Sequence, residues 1–220
     1  ILFAAAARAG VRRIVHVSIA NADVAPDLPY YRGKARVEEA LRAAGPSYAI
    51  LGPTVLFGGR DVLINNIAWM LRRFPVFAIA GDGTSPIQPI AVEDLAELAV
   101  AEGRRTENTR IDAVGPEVFS YEELVRLIAG ALGRRPTYFR AGRAASLILA
   151  RGLGVLTGDV VLTGEEYDGL TRGLLKSARP ATGRRSFREW LARHADSVGV
   201  DYRNEVKRHF EGGTTSWETA

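Results

Sequence analysis

The stretch RRIVHVSIANADVAPDLPYYRGKARVEEAL, residues 12–41, decides the fold. Arg12 to Ser18 reads as a buried strand rich in β-branched residues, and Asn21 to Pro29, with two prolines, reads as a loop. Tyr30 to Ala44 then has the pattern of a helix, closed by Gly45-Pro46. Upstream, residues 2–9 form the end of an alanine-rich helix that Gly10 stops; downstream, Ser47 to Gly58 gives a second buried strand and a turn. Helix, strand, helix, strand is the rhythm of a parallel sheet covered by helices.

The same stretch carries chemistry. Helix positions four apart share one face, about 6 Å apart along the axis, so Tyr30-x-x-x-Lys34 directs a phenol and an ammonium into one space. A cation beside a phenol lowers its pKa from near ~10 toward working pH. Ser18, at the strand end, can hold the same substrate oxygen from the other side, an arrangement suited to proton transfer.

Further along, Asp61 to Phe74 has a helical apolar face, with Asp61 as its N-cap. PVFAIA at 75–80 reads as a short strand, IQPI at 87–90 as another, Val92 to Ala101 as a helix and Thr109 to Val114 as a strand. Capping boxes stand at Ser120-x-x-Glu123, Thr163-x-x-Glu166 and Ser186-x-x-Glu189, so the last third reads as mostly helical. Arg143 to Leu156 is apolar and rich in small residues; a helix packed on the sheet, a dimer face and a membrane-touching segment all fit it. Asn65 and Asn66, near a helix start, fit solvated positions as well as ligand contacts.

The chain has 220 residues, 47% of them hydrophobic, enough for one substantial core or a core with a small appended subdomain. There is no cysteine, so neither a disulfide framework nor a thiolate metal site can form. His16, His194 and His209 match no metal-ligand spacing, and no metal site is expected. The net charge of +4 comes from arginine, since Lys34, Lys176 and Lys207 are the only lysines. Its scattered Arg-Arg pairs are not interleaved with aromatic residues, which argues against nucleic acid as a partner. No apolar run has the roughly 18 residues that span a bilayer, and the start does not read as a secretory signal, so a cytoplasmic protein is expected. The chain begins at Ile1 and its sole methionine is Met70, which leads us to expect a piece of a longer protein.

Ser18, Tyr30-x-x-x-Lys34, the GPTVLFG turn at 52–58 and the QPIAVEDLA segment at 88–96 together resemble the second half of an extended or atypical short-chain dehydrogenase/reductase. Within that superfamily the chain resembles the NmrA-like proteins, NAD-dependent epimerase/dehydratase relatives and the Rossmann-type accessory subunit of respiratory complex I. The resemblance covers about residues 1–135. It implies an α/β fold: a partial doubly wound parallel sheet, the C-terminal half of a Rossmann-type domain, over residues 1–139, with a helical extension over 140–220.

The resemblance further implies Tyr30 as general acid/base, Lys34 as the group that lowers its pKa and holds the nicotinamide ribose, and Ser18 as the substrate-orienting hydroxyl. Pro53, Thr54 and Val55 would line the nicotinamide end, Gln88 would face the substrate, and Asp94 would cap or anchor its helix. Tyr31, with no lysine four residues on, would pack. The implied cofactor is NAD or NADP, and the implied activity is oxidation, reduction or epimerisation of a small molecule at a carbinol or carbonyl carbon. Non-catalytic NAD(P)H binding, for structure or redox sensing, is the alternative, with a homo-oligomer or a larger complex as the assembly. Gly52 departs from the pattern, because such proteins often carry arginine before the proline. So does the lack of a G-x-x-G-x-x-G turn, the usual pyrophosphate cradle. The phosphate-binding half is therefore expected to be absent, and this chain by itself is expected to bind the cofactor weakly.

Overall fold

The computed structural model describes residues 1–204; Lys207 and His209 lie outside the described residues. Helix α1 (Leu2–Arg8) leads through Gly10 into strand β1 (Arg13–Val17), and the proline loop leads into α2 (Pro29–Arg42). Pro29 occupies the first turn of α2, where its missing N–H leaves no helical bond unmade. The chain continues as β2 (Ser47–Pro53), β3 (Val55–Phe57), α3 (Leu63–Arg73), β4 (Val76–Ala80), β5 (Pro86–Ile87), β6 (Pro89–Ala91), α4 (Val92–Gly103) and β7 (Thr109–Ala113). It ends as β8 (Phe119–Ser120), α5 (Tyr121–Ala131), β9 (Thr137–Ala141), α6 (Arg143–Thr157), α7 (Gly164–Thr171) and α8 (Phe187–His194).

The expected parallel sheet is there. Strands lie in the order β1-β2-β7, all parallel, with Val17 opposite Leu51 and Leu51 opposite Ile111. Ala49, Ile50 and Leu51 in the central strand are wholly buried, as a sheet covered on both faces requires. On one face α4 brings Leu95 and Leu98 against Leu51 and Val15, and the Arg13 guanidinium donates to the Glu102 carbonyl. The other face is covered by α2. Among the described residues, β1 pairs with β2 only, and α1 buries none of its residues.

The largest apolar cluster lies outside this sheet. Phe57 from β3, Ile64, Ile67 and Leu71 from α3, Leu124 and Ile128 from α5 and Phe187 from α8 form it. Phe187 is wholly buried and meets Phe57 edge-on at 5.2 Å. Tyr167, Leu170, Leu191 and Val198 belong to the same cluster, so the tail is part of one core with residues 55–129. The boundary expected at residue 140 falls inside β9, which pairs in parallel with β4. A strand at 137–141 was not expected.

Two capping boxes form in full, at Ser120 and Thr163. At Ser186 the box forms by half: its hydroxyl accepts from the Glu189 N–H, but the second acceptor is Glu117, which takes the N–H groups of Phe187 and Arg188. Asp61 caps α3 from one residue before the N-cap position, accepting from the N–H of Ile64 at 2.8 Å. Asn65 and Asn66 are buried rather than solvated. Their carboxamides bind the backbone of Gly199 and Arg203, fastening the chain after α8 onto α3.

Candidate active site

Two parallel strands and the helix between them place the candidate residues at the carboxyl end of the sheet, where open α/β sheets bind ligands. Alternation along β1 turns His16 and Ser18 to one face, the face that α2 covers with Lys34 and Glu38. Burial, aided by the Lys34 charge and opposed by Glu38, pushes His16 below its ordinary value.

Ser18 is 3% exposed, and its N–H donates to the Leu51 carbonyl at 2.7 Å. Its hydroxyl is buried with no hydrogen-bond partner among the described residues. A buried hydroxyl without a partner costs about 1–3 kcal/mol, which a bound polar ligand or water would relieve. Tyr30, in the first turn of α2, is 53% exposed, and the Lys34 ammonium stands 5.6 Å from its ring centroid. The helical spacing thus brings phenol and ammonium together. Tyr31 points the other way, 7% exposed in a cluster with Ala25, Leu28 and Leu174, where burial pushes its phenol up to about 12.

Gly52 lies where the backbone after β1 crosses β2. A Cβ there would sit 2.7 Å from the Ile19 carbonyl oxygen and 2.9 Å from its carbon. That contact is with backbone, so no side chain fits, which accounts for glycine where arginine was expected. The Pro53 carbonyl accepts from the Ala20 N–H at 2.8 Å, fixing the same crossing. Val55 is buried in the large cluster, and the Thr54 hydroxyl donates to the Gln88 carbonyl.

Gln88 is 5% exposed, and both ends of its carboxamide meet backbone: Nε2 donates to Gly115 at 2.9 Å, and Oε1 accepts from Ser177 at 3.3 Å. Its side chain ties the ends of β6 and β7 to residues 175–177 instead of pointing at open space. Asp94 anchors a distant segment and does not cap α4. Its carboxylate accepts from the N–H groups of Arg184 and Arg185 and from the Arg185 guanidinium. Burial opposes its ionisation, but these donors together outweigh it and hold the carboxyl below its ordinary range.

Sequence reasoning missed the segment 163–177 as a part of this region. Glu165 accepts from the Tyr30 N–H at 3.1 Å, and Gly169 lies against the Tyr31 ring. Asn21, at φ +57°, donates to the carbonyls of Leu174 and Lys176, which holds it in the left-handed conformation. The Thr163 box revealed that α7 exists but carried no signal of where it docks. A buried charge cluster was missed as well: Glu38, 3% exposed, faces Arg42 at 2.9 Å and Arg110 at 3.6 Å, and Arg110 also pairs with Asp112. Among the described residues no group of acidic and histidine side chains could hold a metal ion.

An Arabidopsis thaliana protein, NADH dehydrogenase [ubiquinone] 1 alpha subcomplex subunit 9, mitochondrial, is 29% identical over 135 residues, 60% of this chain and 33% of that protein. A Caulobacter vibrioides ceramide reductase is 31% identical over 139 residues, 62% of this chain and 43% of its own length. The crystal structure of an Escherichia coli NADPH-dependent quinone oxidoreductase, complexed with NADPH, superposes with a TM-score of 0.69 at 21% identity, covering 87% of this chain and 69% of that one.

The chain has the Rossmann-type α/β fold of these reductases.

The matches thus span about a third to two fifths of these two curated relatives. No protein-family profile matches the chain. The shared fold is that of the parallel β1-β2-β7 sheet, and Ser18 and Tyr30-x-x-x-Lys34 follow the carboxyl end of its first strand. No helix among the described residues is long and apolar enough to cross a membrane.

Proposed function

We propose that this chain supplies the proton-handling side of an NAD(P)-dependent oxidoreductase or epimerase site acting on a small molecule at a carbinol or carbonyl carbon. The buried, unpartnered Ser18 hydroxyl carries the reading. It stands at the carboxyl end of β1, followed across one loop by Tyr30 with the Lys34 ammonium against its ring. The nicotinamide end of the cofactor fits these residues: Lys34 has the reach and charge for a ribose hydroxyl, and the turn at Pro53, Thr54 and Val55 offers backbone groups. NAD and NADP fit equally, and NADPH is bound by the structural relative from Escherichia coli. No glycine-rich turn for the pyrophosphate occurs in the 220 residues, so we expect this chain alone to bind NADPH or NADH no tighter than roughly micromolar.

The bound nicotinamide would exchange a hydride with the substrate carbon. Ser18 donates a hydrogen bond to the substrate oxygen and fixes its position. In reduction, the Tyr30 hydroxyl gives its proton to that oxygen as the carbonyl π pair moves onto it; in oxidation the proton returns to Tyr30. The Lys34 charge favours the ionised phenol, so Tyr30 gives up its proton more readily in reduction and stands ionised to receive one in oxidation. Gln88 acts at one remove, holding β6 and the 175–177 segment in place. The cytoplasm is our proposed compartment, although several relatives are mitochondrial by name.

The relatives named as subunits of NADH dehydrogenase favour a second reading, a non-catalytic NAD(P)H-binding member of a larger complex. A Tyr30→Phe change in the full-length protein separates the two, with NADPH oxidation followed against a panel of carbonyl and quinone acceptors. An enzyme loses turnover and keeps cofactor affinity; a structural or sensing protein changes in neither respect.

A further inference from the structure

We infer that α6 is a peripheral membrane helix, whose outward face seats the protein on an anionic lipid surface. Its amphipathicity is inverted. Ser146, Ala150 and Gly154, spaced four apart, are the buried residues, whereas Ile148, Leu149, Val155 and Leu156 are 67%, 48%, 88% and 70% exposed. On a helical projection these four aliphatics lie together with Gly152 on one face, opposite the small residues.

The inner face accounts for the inversion. The Ser146 hydroxyl donates to the Ala141 carbonyl at 3.0 Å, and a Cβ on Gly154 would come within 2.5 Å of the Asp159 carbonyl oxygen. The helix contacts β4 and β9, with Ser146, Ala150 and Gly154 buried and Leu147 and Leu153 half-buried beside them, and it leaves Ile148, Leu149, Val155 and Leu156 outward. Val160, just beyond the helix, is 56% exposed as well.

Charge identifies the occupant. From Leu124 to Gly158 the sequence holds no aspartate or glutamate, while Arg126, Arg134, Arg135, Arg140, Arg143 and Arg151 fall within it. Arg126 and Arg140 pair with Glu122, and Arg143 with Asp168. Arg134, Arg135 and Arg151 are exposed and form no ion pair with another described residue. The charged residues of α6 are Arg143 and Arg151 alone, so a second copy seated helix against helix would oppose arginine to arginine. An anionic headgroup layer offers the opposite charge over an apolar boundary, which is what a basic-flanked aliphatic stripe fits. At about 22 Å the helix is too short to span a bilayer, so it lies along the surface.

The test is sedimentation of the full chain with vesicles of phosphatidylcholine alone and of equimolar phosphatidylcholine and phosphatidylglycerol. The chain is expected to pellet with the anionic vesicles only, and less so at high salt. Val155→Asp/Leu156→Asp should weaken that binding by roughly tenfold or more, and Arg134→Gln/Arg135→Gln by several-fold. Ile148→Asp is the second variant should the double aspartate fold poorly; a thermal melt checks each. Absence of binding to anionic vesicles, or equal binding by the folded variants, overturns the inference. So does a dimer in analytical ultracentrifugation that the aspartate variants dissociate, which would assign the face to a second copy.

Discussion

Gly52→Ala places a methyl group where two backbone segments cross, and its cost can be worked from the geometry. The new Cβ would stand 2.7 Å from the Ile19 carbonyl oxygen, and ordinary van der Waals contact begins near 3.4 Å, so the segments must part by about 0.7 Å. Neither can yield freely. The Ser18 N–H is bound to Leu51 at 2.7 Å and the Ala20 N–H to Pro53 at 2.8 Å, and both bonds bridge the same gap. Overpacking of this kind costs about 1–3 kcal/mol, and weakening two backbone hydrogen bonds adds about 0.5–1.5 kcal/mol each. We expect Gly52→Ala to lose about 2–6 kcal/mol in urea unfolding, a large part of the 5–15 kcal/mol typical of a domain. The same shift moves Ser18, so turnover in the full-length protein should fall together with stability. A loss below about 0.5 kcal/mol, the range of ordinary surface substitutions, would refute the argument that this crossing excludes side chains.

Two other carboxylates make opposite predictions. Asp94→Ala leaves the N–H groups of Arg184 and Arg185 without their acceptor and should cost about 3 kcal/mol in urea unfolding at neutral pH. Because the Asp94 pKa is lowered on folding, its contribution is present at neutral pH and fades as pH falls through the folded-state value, so wild type and variant should converge in acid. Asp61 is pushed the other way, to about 6 by burial, against the N–H groups of Ile64, Gly58 and Asn65. Folding then takes up a proton between the unfolded value and about 6, and stability should fall by about 3 kcal/mol as pH rises through that window. Asp61→Asn should remove that slope; a wild-type profile as flat as the variant's would count against the raised value.

The sheet was legible because its signals are local. A β-branched run at 12–18, an apolar run at 48–51, a proline loop and a Gly-Pro stop specify strand, helix and strand without long-range information, and Ser120-x-x-Glu123 specifies its own helix. What the sequence hid depends on partners far along the chain. β9 is short and carries Tyr138 and Arg140 beside Phe139, and it becomes a strand by pairing with β4 some 60 residues earlier. The half-formed box at Ser186 is completed by Glu117, 69 residues away. Asn65 and Asn66 looked solvated because two polar residues at a helix start commonly are, and only the returning tail gives them backbone to bind. For α6, composition announced an apolar helix, but which face the protein covers depends on its packing against β4 and β9.

The most direct measurement is a double-mutant cycle on NADPH oxidation in the full-length protein, with Ser18→Ala, Tyr30→Phe and the pair. If both hydroxyls act on one substrate oxygen, each single change lowers kcat by about 10²–10⁴-fold with cofactor affinity kept, and the pair loses far less than the product of the two. Full activity in Tyr30→Phe, or losses that multiply without coupling, would contradict the shared site.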